Sequence, residues 1–343
     1  MNYYKRIVLD FDDTLAFHED RNFKDATPNK KLIEKTNALF YQGWQIDIFT
    51  ARGSISCSSR EEARLKYESE IVSWLDKHGV KYNILSFDKP LAVYYIDDKS
   101  ITPDDFINID IQQIEGGLSG ANIYSDGKYV HKQDINAHLT KHWFNTANSF
   151  NIKTPIIYRI IGETITMDYI HQDSDYFENR FYVALGLIQE ALTKMKSIPV
   201  DDELDFTMYR NRILEHAKNS GKEEFVSLAK RLNEFGLIRS FSHGDFAIKN
   251  MLFKENDLYL IDPITNVFGC TELDVAKFCA SLIVNKYSNK IINDSISQLK
   301  SYLTSIDIDT LKLLISSEII RIFKYHPDKN FIVKCVNHVN EFK

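Results

Sequence analysis

Cysteine is scarce in this chain: four in 343 residues, at 57, 270, 279 and 335, with neither close pairing nor metal-ligand spacing. That argues against a disulfide scaffold or a cysteine-held metal and reads as free thiols in a reducing compartment. No apolar run is long enough to span a bilayer. The chain enters Ile7-Val8-Leu9-Asp10 almost at once, which leaves no room for a signal peptide. A cytoplasmic protein without membrane insertion is expected. Surplus positive charge is lacking too: the formal net charge of −6 speaks against nucleic acid as a partner. There is no Pro/Gly/Ser-rich linker, internal repeat or low-complexity tract, so any domain junction is short. What remains is an ordinary globular composition, 44% apolar and 26% charged, over a length that suggests two domains.

The first third alternates strand and helix. Residues 6–10, 45–49, 83–87 and 93–97 are short apolar strands. Between the first two lies a helix for which Thr27 suits the N-cap, Pro28 the first turn and Gly43 the stop. Between the next two, Tyr67, Ile71, Trp74 and Leu75 share one helical face, and Gly79 ends it. Single crossovers of this kind predict an α/β domain with a doubly wound parallel sheet, whose ligands sit at the carboxyl ends of the strands. Asp10, Thr50 and Asp97 fall there.

From residue 108 the pattern changes. A β-meander with a hairpin through Ser125-Asp126-Gly127 is followed by a helix over 135–150, strands in "PIIYRIIG" and "ETITMDYI", and a mostly helical remainder broken at 240–264. This predicts a bilobal α+β domain, with a small lobe over about 108–170 and a large lobe over 171–343.

Asp10-Phe11-Asp12-Asp13-Thr14 fits D-x-D-x-T, and Thr50, Lys89 and Asp97-Asp98 follow in order at strand ends or loops. Together these resemble the four motifs of the haloacid dehalogenase superfamily of phosphatases, over about residues 1–107. "TARGS", "WLDKHGVKYNILSFDKP" and "YYIDDKSITPDDF" are similar to small phosphatases of capsule and surface-polysaccharide operons. The resemblance implies a Mg²⁺-dependent phosphatase with a minimal cap. Asp10 would be the nucleophile and form an aspartyl-phosphate. Asp12 would be the acid–base, its pKa raised by its acidic neighbours. Thr50 and Lys89 would hold the phosphoryl oxygens. The ion would sit on the Asp10 carboxylate, the Asp12 carbonyl and Asp97, with Asp98 assisting. It is needed because a phosphate anion meeting Asp10 costs about 4 kcal/mol per charge pair at ~4 Å in a partly screened site. His18, Arg52 and Arg60 read as a solvated loop histidine and surface arginines.

His243-Gly244-Asp245-Phe246-Ala247-Ile248-Lys249-Asn250 matches H-x-D-x-x-x-x-N, and Asp262 follows in "YLIDP". With "GGLSGA" at 116–121 and Lys132, this resembles the aminoglycoside phosphotransferase/choline kinase family over about residues 110–343. The resemblance implies ATP bound by Gly117, Ser119, Gly120 and Lys132, with adenine at the backbone of Asp168 to Ile170. Asp245 would position the acceptor hydroxyl, and Asn250 and Asp262 would hold Mg²⁺. His243 reads as a scaffold for the catalytic loop. Members of the family pair the lysine with a helix glutamate. Between Lys132 and Glu163 the only acid is Asp134, too close in sequence for that role, with Thr140 near the expected place.

The expected protein is therefore bifunctional: a phosphatase of small phosphate esters and an ATP-dependent kinase of small alcohols or sugars, making a phosphorylated precursor for a surface polysaccharide. The alternative is an active phosphatase whose kinase-like domain senses nucleotide or is inactive.

Overall fold

The computed structural model describes residues 5–18, 25–92, 95, 100–114, 122–200, 205–233, 237, 239–265, 269–303, 305–323, 325–339 and 341. The chain divides into two compact units, residues 1–112 and 113–343.

In the first unit, strands β1 (Arg6–Asp10), β4 (Gln45–Phe49) and β5 (Ile84–Ser86) form a parallel sheet in the order β1-β4-β5. The registers set Asp10 beside Phe49 and Phe49 beside Ser86. The chain thus leaves all three strands at one edge, as expected for a parallel sheet crossed by helices. The two short strands β2 (Ala16–Phe17) and β3 (Thr27–Pro28) pair with each other. This corrects the expected start of helix α1 (Lys30–Tyr41). Thr27 and Pro28 are held in that pairing, and the N-cap is Asn29, whose side chain accepts the Leu32 N–H.

Helix α2 (Arg60–Lys77) starts on Ser59 and buries Ala63, Ile71, Trp74 and Leu75. Trp74 meets Phe11 edge-on with ring centroids 5.2 Å apart, which anchors the loop after β1 against this helix. Gly43 and Gly79 both take positive φ just past the helix ends. Helix α3 (Pro103–Asn108) closes the unit, with Lys35 donating to the Ile107 carbonyl at 3.1 Å. The expected strand at 93–97 lies outside the described residues apart from Tyr95.

The second unit opens with a five-stranded sheet in the order β6-β7-β8-β10-β9. Its strands are β6 (Gln112–Ile114), β7 (Ile123–Ser125), β8 (Tyr129–Gln133), β9 (Ile157–Ile161) and β10 (Thr164–Asp168), with helix α4 (Ala137–Ser149) between β8 and β9. The remainder is helical: α5 (Tyr176–Asn179), α6 (Phe181–Ser197), α7 (Phe206–Asn219), α8 (Glu223–Lys230), α9 (Thr271–Val284), α10 (Asn289–Tyr302), α11 (Ile308–Phe323) and α12 (Lys329–Val339). A hairpin of β11 (Met251–Lys254) and β12 (Asp257–Leu260) interrupts it, within the break expected at 240–264. Helix α9 is buried along nearly its whole length and packs on α11. An apolar stretch such as "LDVAKFCASLIV" is therefore central, and its charged members Asp274 and Lys277 need partners.

Candidate active sites

In the first unit, Asp10 ends β1. Its carboxylate accepts the Phe11 N–H at 2.8 Å on one oxygen and pairs with Lys89 on the other. Thr50 leaves β4 fully buried, its N–H bonded to the Ser86 carbonyl. Its hydroxyl donates to Asp12 at 3.2 Å. Asp10, Asp12, Thr50 and Lys89 are thus brought into one polar cluster at the strand ends. Asp97 and Asp98, expected to complete it, lie outside the described residues. Burial holds the Asp10 carboxyl above the ordinary range, in spite of Lys89.

Asp12 corrects the expectation. Burial alone would raise its pKa, but the hydrogen bonds and charges of Arg52 and His18 outweigh burial and draw it below the ordinary value. Neither partner is a solvated surface group. The His18 ring, 2.8 Å from Asp12, and the Arg52 guanidinium, paired with the same carboxylate, are both buried. Arg52 also stacks over the Phe11 ring at 4.9 Å. Arg60 is likewise engaged, donating to the Phe87 carbonyl at 2.9 Å. The missed signal was position: Arg52 stands two residues past Thr50, where its backbone N–H caps the Thr50 hydroxyl at 3.0 Å.

In the second unit, the His243–Asn250 motif is held from behind by α9. Asp274 accepts the backbone N–H groups of His243 and Gly244 at 2.8 and 3.0 Å. The His243 ring bonds the Ile261 carbonyl at 2.8 Å, in keeping with the scaffold role expected of it. Burial lowers the pKa of this imidazole to about 4, so it stays neutral.

Asn250 donates its amide to the Asp245 carbonyl and carboxylate at 2.8 and 2.9 Å. The Asn250 carbonyl accepts the Ile261 N–H, which sets Asp262 beside the loop. Asp262 has positive φ and pairs with Lys132. So Asp245, Asn250, Asp262 and Lys132 gather at one place. Gly117, Ser119 and Gly120 lie outside the described residues. At the end of β10, the Asp168 carboxylate accepts from Ile156 N–H and Tyr158 hydroxyl, and the next residue, Tyr169, donates its N–H to Lys128. The segment that leads to Ile170 is thereby fixed.

Two further side chains were not anticipated. Lys277 lies 3.1 Å from Asp245 and 3.6 Å from Glu318, a buried acid of α11 that also binds Arg321 and the Tyr209 hydroxyl. Burial would raise the pKa of Asp245, but Lys277 and then Lys249 bring it down to about 2. Asp134, set aside as too close to Lys132 in sequence, in fact lies 3.7 Å from the Lys132 ammonium. Residues i and i+2 of an extended chain project to the same side, which is why two residues suffice.

No protein-family model matches the chain, and no curated protein matches it. Solved structures do. A choline/ethanolamine kinase family protein from Mesorhizobium loti is 10% identical, over 68% of this chain and 88% of its own, with a TM-score of 0.50. The chain carries that kinase-like fold. A choline kinase from Streptococcus pneumoniae is 14% identical, over 68% of this chain and 92% of its own, with a TM-score of 0.49. A protein from Vibrio cholerae is 28% identical over 31% of this chain and 89% of its own, with a TM-score of 0.28. Among the described residues no helix is long and apolar enough to cross a membrane.

Proposed function

We propose that the second unit transfers the γ-phosphoryl group of ATP to a hydroxyl of a small alcohol or sugar. The observation that carries this is the Asp245–Asn250 pair, which meets Lys132 and Asp262 across the kinase-like fold. Asp245 orients the acceptor hydroxyl and takes its proton. Lys132 and the glycine-rich segment 116–121 hold the phosphates, and the backbone of Asp168 to Ile170 receives adenine. The Asn250 amide nitrogen is committed to Asp245, so its Oδ1, with the Asp262 carboxylate, is the oxygen donor set suited to Mg²⁺. Bound there, Mg²⁺ would neutralise charge on the phosphates.

For the first unit we propose phosphate-monoester hydrolysis. Asp10 attacks phosphorus and the leaving-group oxygen departs with a proton from Asp12. Asp12 then deprotonates the water that cleaves the aspartyl-phosphate. Thr50 and Lys89 hold the phosphoryl oxygens. The support is the convergence of Asp10, Asp12, Thr50 and Lys89 at the sheet edge. The Asp10 carboxylate and the Asp12 backbone carbonyl, with Asp97 and Asp98, would suit a Mg²⁺ ion that screens the incoming anion. Two activities on one bond would only consume ATP. They act on different positions or successive intermediates, which fits a phosphorylated precursor of a surface polysaccharide.

The test is a screen of phosphorylated metabolites for phosphate release and of small alcohols for ATP consumption, with wild type beside Asp12→Asn and Asp245→Asn. Each variant is expected to abolish one activity, by a factor of about 10² or more, and to spare the other. Phosphate release with ATP bound but never consumed would replace the kinase reading by a nucleotide-sensing domain.

A further inference from the structure

The lysine assigned to the nucleotide phosphates needs an anion to fix its direction, and α4 has no glutamate to offer. We propose that Asp134 is that positioning residue, and that Thr140 ties it to α4 in the glutamate's stead. The proposal rests on the kinase reading of the second unit.

Each part of Asp134 is engaged. Its N–H donates to the Glu163 carbonyl at 2.7 Å, and its carbonyl accepts the Ala137 N–H at 3.0 Å. One carboxylate oxygen takes the Asn136 N–H at 2.8 Å. The other takes the Thr140 hydroxyl at 2.8 Å and faces Lys132 at 3.7 Å. Thr140 is itself buried in the face of α4 that packs inward. Lys132 and Asp134 side chains are 13% and 12% exposed, so their attraction is only weakly screened.

Lys132 has a second carboxylate neighbour, Asp262. The two acids play different parts. Asp262, the nearer of the two, is assigned to the cation, a duty that competes with its hold on the lysine. Asp134 has no such duty and stays. The lysine is thus steadied from the corner between β8 and α4 instead of from mid-helix. A swing of α4 would not be needed to assemble the site, because the first turn of α4 is bonded to the anion itself.

The experiment measures magnesium-dependent binding of a fluorescent N-methylanthraniloyl-ATP to the full chain, in a double-mutant cycle of Lys132→Ala and Asp134→Asn. Each single change should weaken binding by about tenfold, and the double should be no weaker than Lys132→Ala alone, as for residues acting through one contact. Asp134→Asn keeps an oxygen for Asn136 or Thr140, and its fold is checked by thermal melting. Adding Thr140→Glu to Asp134→Asn should recover most of the lost affinity by supplying the helix acid. Wild-type affinity in Asp134→Asn, or fully additive losses without rescue by Thr140→Glu, would overturn the proposal while leaving the kinase reading intact. If wild type itself does not bind the nucleotide, the kinase reading fails and this proposal with it.

Discussion

The Lys277 ammonium lies 3.1 Å from the Asp245 carboxylate and 3.6 Å from that of Glu318, so one buried cation joins the Asp245 loop to helix α11. Removing it leaves Asp245 beside Lys249, at 3.7 Å and half exposed. In Lys277→Met the acidic limb of the kinase pH–rate profile should move up by about one pH unit. The pKa of Asp245 is lowered on folding, so its stabilising contribution is present above pH 3.8 and is lost as pH falls toward about 2. Lys277→Met should therefore lose stability on the order of 2 kcal/mol at pH 7 and much less near pH 2, read from urea unfolding. An unmoved acidic limb would show that Lys277 does not set the Asp245 ionisation.

Arg52 acts on Asp12 in the same way. In the proposed hydrolysis Asp12 must hold a proton for part of the cycle, and the Arg52 and His18 contacts favour its ionised form. Arg52→Gln should raise the Asp12 pKa, so the alkaline limb of phosphate-ester hydrolysis moves to higher pH. The turnover number should fall by roughly tenfold or more as Asp12 loses its orientation. The expected change is confined to hydrolysis, and ATP consumption serves as the internal control.

Much of this was readable from residue patterns. The parallel strands announced themselves by short apolar runs, and the spacings at their ends pointed to Asp10, Asp12, Thr50 and Lys89, which the fold brings together. Asn29 was missed because Thr27-Pro28 is an equally good helix start until β2 is there to pair with it. The burial of His18 and Arg52 is a tertiary property: nothing local says that Asp12 will face both, or that Phe11 and Glu70 of α2 will meet Arg52. Asp134 was discounted by a rule of sequence distance that holds along helices and fails at a strand end, where i and i+2 share a face. Lys277 is three residues from Asp274 on α9, a spacing that puts both on one face, but their targets come from elsewhere in the chain.

Asp274 offers a pH test of the opposite sign. Burial raises its pKa to about 7, against the pull of the His243 and Gly244 N–H groups. Between pH 3.8 and about 7 the folded state holds a proton that the unfolded chain has released, so this group's contribution to stability declines as pH rises across that window. Asp274→Asn should flatten that slope in urea titrations at pH 5 and pH 8. Asp274→Ala strands two buried amides and should cost about 2 kcal/mol or more, with kinase activity lost before hydrolysis. A slope unchanged in Asp274→Asn would assign the pH dependence to another group.

Gly269 supports the loop that carries His243 and Asp245 by having no side chain. A Cβ there would overlap Ser242 Oγ, and would come within 3.0 Å of Ser242 Cβ and 3.1 Å of the Ser240 carbonyl. The hydroxyl could rotate away, but the carbonyl belongs to backbone that is already pinned. The Ser240 N–H donates to the Gly269 carbonyl at 3.2 Å, and the Trp143 indole donates to the Ser242 carbonyl at 2.8 Å. Relief must then push residues 240–242, and with them His243 and Asp245. Gly269→Ala should cost roughly 1–3 kcal/mol and lower kinase turnover by tenfold or more, with phosphate-ester hydrolysis unchanged. Ser242→Gly in the same chain removes the overlapping hydroxyl and Cβ while leaving the Trp143 bond to the carbonyl, so turnover should recover to within a few-fold of wild type. Full kinase activity in Gly269→Ala alone would mean that the segment before α9 yields freely and does not hold the loop.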